Sequence, residues 1–251
     1  MKRSVIVLYI LVMSVILLGH TNCWAEYDVI DITKPFLRKI PLAVPAFKNA
    51  TGSGQEKKSS LSAADFLSDS LDFTGYFKIL DRGSFLFDPE RNGVAGADLI
   101  FQNWTVVGAE LLVTGYYTLN NDNISVELRL FDTFKAKQVL GKKYSGKLSN
   151  QRSIILRFCT EVIKYLTGSG GLFFSKIAFV STVNGKKEIF TCDFDGHNVR
   201  QMTSHKSICL SPSWSFDGKW LAYVSYTKGK PDIFIKNFKE NIGSIVNYKG
   251  M

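Results

Sequence analysis

Four residues in the last quarter of this 251-residue chain have the side chains of a metal site: Cys192, His197, His205 and Cys209. Thiolate and imidazole are the ligands zinc favours, and four of them close a tetrahedral shell. The spacing argues against it, because four, seven and three intervening residues match no standard zinc module. Cys192 also stands in a strand-like repeat whose second copy has Lys236 at that place. Phosphate chemistry fares no better: Gly168-Ser169-Gly170-Gly171 has the glycines of a phosphate loop, but Leu172-Phe173 follows where Lys-Ser/Thr is required. Nucleophilic hydrolysis lacks the Gly-x-Ser-x-Gly elbow. His197 and His205 have no base paired with them in sequence. The expectation is a protein that binds rather than catalyses, with no cofactor, no metal and no small-molecule substrate.

The amino terminus decides the compartment. Lys2-Arg3, an apolar run from Val5 to Leu18 and a small residue at Ala25 make a secretory leader, with cleavage expected after Ala25. That run is shorter than the roughly 20 apolar residues that cross a bilayer. Cys23 invites a lipid anchor, but His20-Thr21-Asn22 lacks the small residues such a site needs. Losing Lys2 and Arg3 lowers the formal charge from +9 to +7. At most two basic residues are adjacent, as at Lys142-Lys143, and no aromatic-and-basic stripe accompanies them, so no nucleic-acid partner is expected. Cys159, Cys192 and Cys209 remain, an odd number that rules out a disulfide framework. A Cys192–Cys209 bridge and buried free thiols are both open at this point.

The elements follow from periodicity. Val29–Ile32 and Ile40–Phe47 read as short strands whose prolines suit edges or strand ends. Residues 50–60 read as a polar Gly/Ser loop. A helix follows, capped by Ser62 and stopped by Gly75, with Asp65, Asp69 and Asp72 on a solvated face. After a strand at Phe77–Leu80 and a short helix near Asp98–Trp104 come strands at Leu111–Leu119, Ile124–Phe131 and Gln138–Lys147. Asn120–Asn123 turns the first two into a hairpin. A second helix over Asn150–Thr167 ends at Gly168. Residues 26–168 are therefore expected to form one α+β domain.

Beyond the glycines the chain repeats itself. Ile177-Ala178-Phe179-Val180-Ser181 returns 44 residues later as Leu221-Ala222-Tyr223-Val224-Ser225, and Glu188-Ile189-Phe190 as Asp232-Ile233-Phe234. Gly185 and Phe194 return as Gly229 and Phe238 at the same offset. A period near 44 with several short strands per unit belongs to β-propellers. Trp214 is expected to fill space between packed sheets. Residues 172–251 are thus a partial propeller.

These residues resemble a family. Leu166-Thr167-Gly168, Lys176–Ser181, Asp193-Phe194-Asp195-Gly196-His197-Asn198 and Pro212–Gly218 look like the propeller of TolB, the periplasmic component of the Tol-Pal system. Upstream, Asp28–Thr33, Ile40–Phe47, Trp104, Gly108-Ala109-Glu110, Val113-Thr114-Gly115 and Leu130-Phe131-Asp132 look like the amino-terminal domain of the same family. The resemblance implies an α+β domain followed by the first one to two blades of an incomplete, six-bladed type propeller, a C-terminally truncated copy. It implies a periplasmic adaptor between a TolA-like inner-membrane protein and a Pal-like lipoprotein. Glu26, Tyr27, Asp28, Val29, Ile30 and Asp31 would supply a regulated segment for the first partner. The loop of Ser207, Ile208, Cys209, Leu210 and Ser211 would supply a share of the second site. The plainer alternative for 26–31 is an ordinary edge strand. The rival class is a fragment of a propeller-bearing exported peptidase or another propeller binding protein.

Overall fold

The computed structural model describes residues 38–86, 94–240 and 242–246. The leader, the strand expected at Val29–Ile32 and the segment Glu26–Asp31 lie outside them. The apolar run Ile40-Pro41-Leu42-Ala43 forms β1 (Ile40–Ala43), with Leu42 and Ala43 wholly buried. It is not an edge strand: β1 runs parallel to β3 (Phe77–Ile79) on one side and to β4 (Leu111–Asn120) on the other. Pro41 is tolerated because pairing with β4 starts only at Leu42, and its carbonyl takes the Glu110 N–H at 3.0 Å. The antiparallel strands β5 (Asn123–Asp132) and β6 (Lys137–Lys147) complete the order β3-β1-β4-β5-β6, while β2 (Lys48–Asn49) pairs with β4. The two-residue turn into β5 places Asn121 at φ 55°, a conformation asparagine tolerates.

Helix α1 (Gly54–Phe73) starts eight residues before the expected cap at Ser62, and this corrects the loop assigned to residues 50–60. Ser53 is the cap, its hydroxyl accepting the Glu56 N–H at 3.3 Å. The Glu56 carboxylate is buried and accepts from Thr51 N (2.8 Å), Thr51 Oγ1 (2.6 Å), Gly52 N (3.1 Å) and Leu119 N (3.0 Å). Composition hid this start, since Ser-Gly-Gln-Glu is polar, yet its serine caps the helix and its glutamate takes up the Thr51 and Gly52 amides. Asp65, Asp69 and Asp72 face solvent, and Gly75 at φ +77° follows the last turn. Helix α2 (Phe101–Val106) starts three residues after the expected Asp98, helix α3 (Gln151–Thr167) lies where expected, and Gly168 at φ 77° closes α3. Leu67, Leu71, Phe158 and Val162 of α1 and α3 pack with Val126 and Leu128 on one face of the sheet. Trp104 of α2 packs with Leu112 and Phe131 on the other.

The repeats become two antiparallel sheets. The first holds β7 (Lys176–Val183), β8 (Lys186–Asp193) and β9 (Arg200–Gln201). The second holds β10 (Cys209–Trp214), β11 (Leu221–Ser225), β12 (Asp232–Asn237) and β13 (Ile242–Ile245). Gly185 (φ 75°) and Gly229 (φ 79°) turn the matching hairpins. Ile189, Cys209, Leu221 and Tyr223 make a core shared by both sheets, and Trp214 and Val180 pack against it. The architecture is an α+β amino-terminal domain followed by part of a β-propeller.

Candidate partner-binding surface

The connection from the first sheet to the second, Met202-Thr203-Ser204-His205-Lys206-Ser207-Ile208, is polar and contains no glycine. A chain of that composition needs an acceptor to hold it, and Glu188 of β8 provides one. The Thr203 hydroxyl donates to Glu188 Oε2 at 2.5 Å and the Lys206 N–H to Oε1 at 2.7 Å. The same hydroxyl accepts the Ile189 N–H at 2.8 Å, and the Ile189 carbonyl takes the Met202 N–H at 2.8 Å. Burial by itself pushes the Glu188 carboxyl upward, but the bonds from Thr203, Lys206, His205 and Cys209 outweigh it and hold the group below its ordinary range. The connection is therefore tied to β8 at several points, and Lys206 adopts φ 54°.

The expected loop Ser207–Ser211 is in large part a strand. Ser207 lies in a bend, Ile208 makes a parallel bridge to Lys187, and Cys209, Leu210 and Ser211 open β10. Cys209 is wholly buried, its thiol 3.6 Å from both Glu188 Oε2 and Ser225 Oγ. Burial pushes that thiol upward, so it stays protonated. Ile208, which is 43% exposed, and Ser211 present the segment's outer surface, with Ser207 and Leu210 half-buried. The backbone is pinned here by the Tyr226 N–H on the Ile208 carbonyl at 3.0 Å.

The sulfur and imidazole groups weighed above as zinc ligands point elsewhere. Cys159, Cys192 and Cys209 are free and buried, so no Cys192–Cys209 bridge exists. His197 lies beside Asp195, with Nδ1 3.3 Å from Oδ1. His205 Nδ1 is 2.8 Å from Thr227 Oγ1, and Nε2 is 3.1 Å from the Tyr223 hydroxyl. Burial pushes the Tyr223 hydroxyl up to about 12, with the negative charge of Glu188 adding to it. The His205 ring stands edge-on to Phe234 at 5.1 Å and lines a groove of about 400 Å3 with Tyr223, Phe234, Lys236 and Ser244. Ser225 Oγ is 3.2 Å from His205 Nδ1, but Ser225 is fully buried and bridges to Thr227 at 2.8 Å, a structural bond.

A second set of contacts seats the first sheet on the helices. Phe194 lies in the helix-side core, edge-on to Phe173 at 5.2 Å and to Phe73 at 5.6 Å. Arg152 of α3 pairs with Asp195 and lies 4.5 Å over the Phe66 ring. Burial raises the Asp195 carboxyl, but the Arg152 and His197 bonds and charges outweigh this and lower it. The pair's contribution is present above the ordinary carboxylate range and is lost as pH falls through the lowered folded-state value. Asp195→Asn should lower stability by about 1–2 kcal/mol near neutral pH, with the gap closing in acid. Urea unfolding at a series of pH values reads this out. Neither Glu188 nor the Arg152–Asp195 pair was singled out from sequence; the recurrence of an acid at Glu188 and Asp232 was the one signal for the former.

Comparison with known proteins bears on both halves. Residues 28–139 match the TolB amino-terminal domain and residues 163–251 the TolB beta propeller domain. The Tol-Pal system protein TolB of Desulfosudis oleivorans is 48% identical over 250 residues, 100% of this chain and 56% of that protein. The protein of the same name from Syntrophus aciditrophicus is 36% identical over 210 residues, 82% of this chain and 46% of that one. The crystal structure of TolB from Acinetobacter baumannii shares the fold with a TM-score of 0.66 at 21% identity, covering 84% of this chain and 50% of that one. The chain thus spans about half the length of the relatives it matches. Among the described residues, no helix is long and apolar enough to cross a membrane.

Proposed function

The chain belongs to the TolB family, and from that premise we propose that it is a non-enzymatic, exported adaptor of the Tol-Pal envelope system. The observation that carries this reading is the union of the two domain types in one chain, each matched to the same family. In this reading, residues 1–25 are a cleaved leader, residues 26–168 the amino-terminal domain and residues 172–251 propeller. The protein works in the periplasm between a TolA-like inner-membrane protein and a Pal-like lipoprotein, supporting outer-membrane integrity and cell division.

The segment Glu26–Asp31, with Tyr27, Val29 and Ile30 among its acids, suits addition to a partner's sheet edge as an extended strand. The Pal-like partner would meet the exposed side of the Ser207–Ser211 stretch, where Ile208 is the apolar contact. Deleting Glu26–Asp31 should abolish capture on an immobilised TolA-like domain while leaving the circular dichroism spectrum unchanged. Undiminished capture would sink the assignment of that segment.

A further inference from the structure

Positive charge is spread unevenly along the chain. Between Asp132 and Glu161 stand five lysines and two arginines and no acidic residue, against a formal net charge of +9 for all 251 residues. Strand β6 runs through this stretch and carries Lys137, Lys142, Lys143 and Lys147. It is also the end of its sheet: among the described residues β6 pairs with β5 alone. Lys142 has an acidic neighbour, Glu161, at 3.7 Å. Lys137, Lys143 and Lys147 make no ion pair with the described residues.

The direction of the free backbone groups follows from the ladder. The Leu148 N–H reaches the Asp122 carbonyl at 2.8 Å. In the unbroken register from Gly141 to Lys147, the even-numbered amides therefore face β5. The N–H and C=O groups of Gly141, Lys143, Ser145 and Lys147 turn outward, where another strand would pair with them. Side chains alternate across the strand, so Lys143 and Lys147 lie on one face of the sheet and Lys142 on the other, beside Glu161.

We propose that the free edge of β6 captures an acidic, extended peptide segment as an added strand. Charge selects this occupant. A second copy pairing β6 with β6 would set lysines against lysines, which is unfavourable. A flat anionic membrane would meet cations on one face only, whereas a strand laid along the edge is flanked from both. Lysines on an edge discourage indiscriminate pairing, and a strand bearing carboxylates turns that barrier into attraction. Gly141 and Ser145 are both exposed along this edge.

The test uses the full chain and a fluorescein-labelled ten-residue peptide of alternating glutamate and threonine. Fluorescence polarisation should show binding that weakens with salt. The double substitution Lys143→Glu with Lys147→Glu should weaken it at least about tenfold. Ser145→Pro removes an outward donor without taking one from the β5 ladder, and should weaken it comparably. Circular dichroism checks that both variants fold. Amide hydrogen exchange on the unsubstituted chain, which needs no variant, should slow at Lys143, Ser145 and Lys147 when the peptide is added. Equal binding of the glutamine-for-glutamate peptide, or protection confined to other amides, would overturn the proposal. So would phosphatidylglycerol vesicles bound in a manner sensitive to the lysine changes but not to Ser145→Pro, or a dimer that the proline change dissolves.

Discussion

Replacing Glu188 by alanine should cost about 2–4 kcal/mol of stability, because donors brought together by one buried carboxylate lose their acceptor together. The Thr203 hydroxyl and the Lys206 amide both end on that group, and the side chain is only 3% exposed. Water cannot replace the carboxylate without opening the connection between the two sheets. Urea unfolding measures the loss, and accelerated amide exchange over residues 203–208 locates it. Glu188→Gln should recover only part of the stability, since its amide keeps one acceptor and turns a donor toward a donor. The held-down carboxylate fixes the sign of the pH effect. Its stabilisation is present above the ordinary glutamate range and disappears as pH falls through the folded-state value, so native and variant proteins should converge in acid. Ile208 loses its fixed position in the variant, and any binding through that surface should weaken without a contact residue having been touched.

Gly115→Ala should destabilise by about 2–3 kcal/mol, although alanine is the milder residue for a strand. A Cβ built at Gly115 falls 2.5 Å from Phe47 Cδ1, 2.6 Å from Phe47 Cγ and 2.9 Å from Leu128 Cδ2. Phe47 is only 2% exposed and Leu128 is fully buried, so neither has room to yield. Pairing Gly115→Ala with Phe47→Leu in a double-mutant cycle should recover part of the loss. Simple additivity of the two changes would show that the ring is not what occupies the space.

What could be read from the residues in advance divides along physical lines. Strand β5 was legible because alternation records burial, and Ile124, Val126, Leu128 and Leu130 do lie buried along it, whereas β4 was legible as a near-continuous apolar run buried along its first half. The repeat was legible because each unit restates the same turn glycine and the same apolar run. The start of α1 was not, because Ser53-Gly54-Gln55-Glu56 has the composition of a loop and its carboxylate is satisfied by Leu119, 63 residues away. Pro41 argued for an edge or a strand end, and it stands second in β1, where the parallel register leaves its missing N–H unused. The segment Ser207–Ser211 looked like a loop because only three apolar residues stand between its serines, too short a run to mark a strand, while the bridge from Ile208 to Lys187 that straightens it is a long-range contact. Arg152 and Asp195 meet across 43 residues, and nothing local to either announces the other.

Phe194 and Phe238 occupy the same place in the repeat but belong to different cooperative units. Phe194 is wedged into the core of the amino-terminal domain, whereas Phe238 packs on its own sheets beneath Lys236. The sheet of β7–β9 cannot open without exposing that wedge to water, so its melting is tied to that of α1 and α3. The sheet of β10–β13 is held through Cys209 and Leu221 against Ile189, and among the described residues it places no side chain in the helix-side core. Two near-copies of one sequence unit should therefore differ in lifetime: the first is expected to open with the domain it is plugged into, and the second at lower free energy.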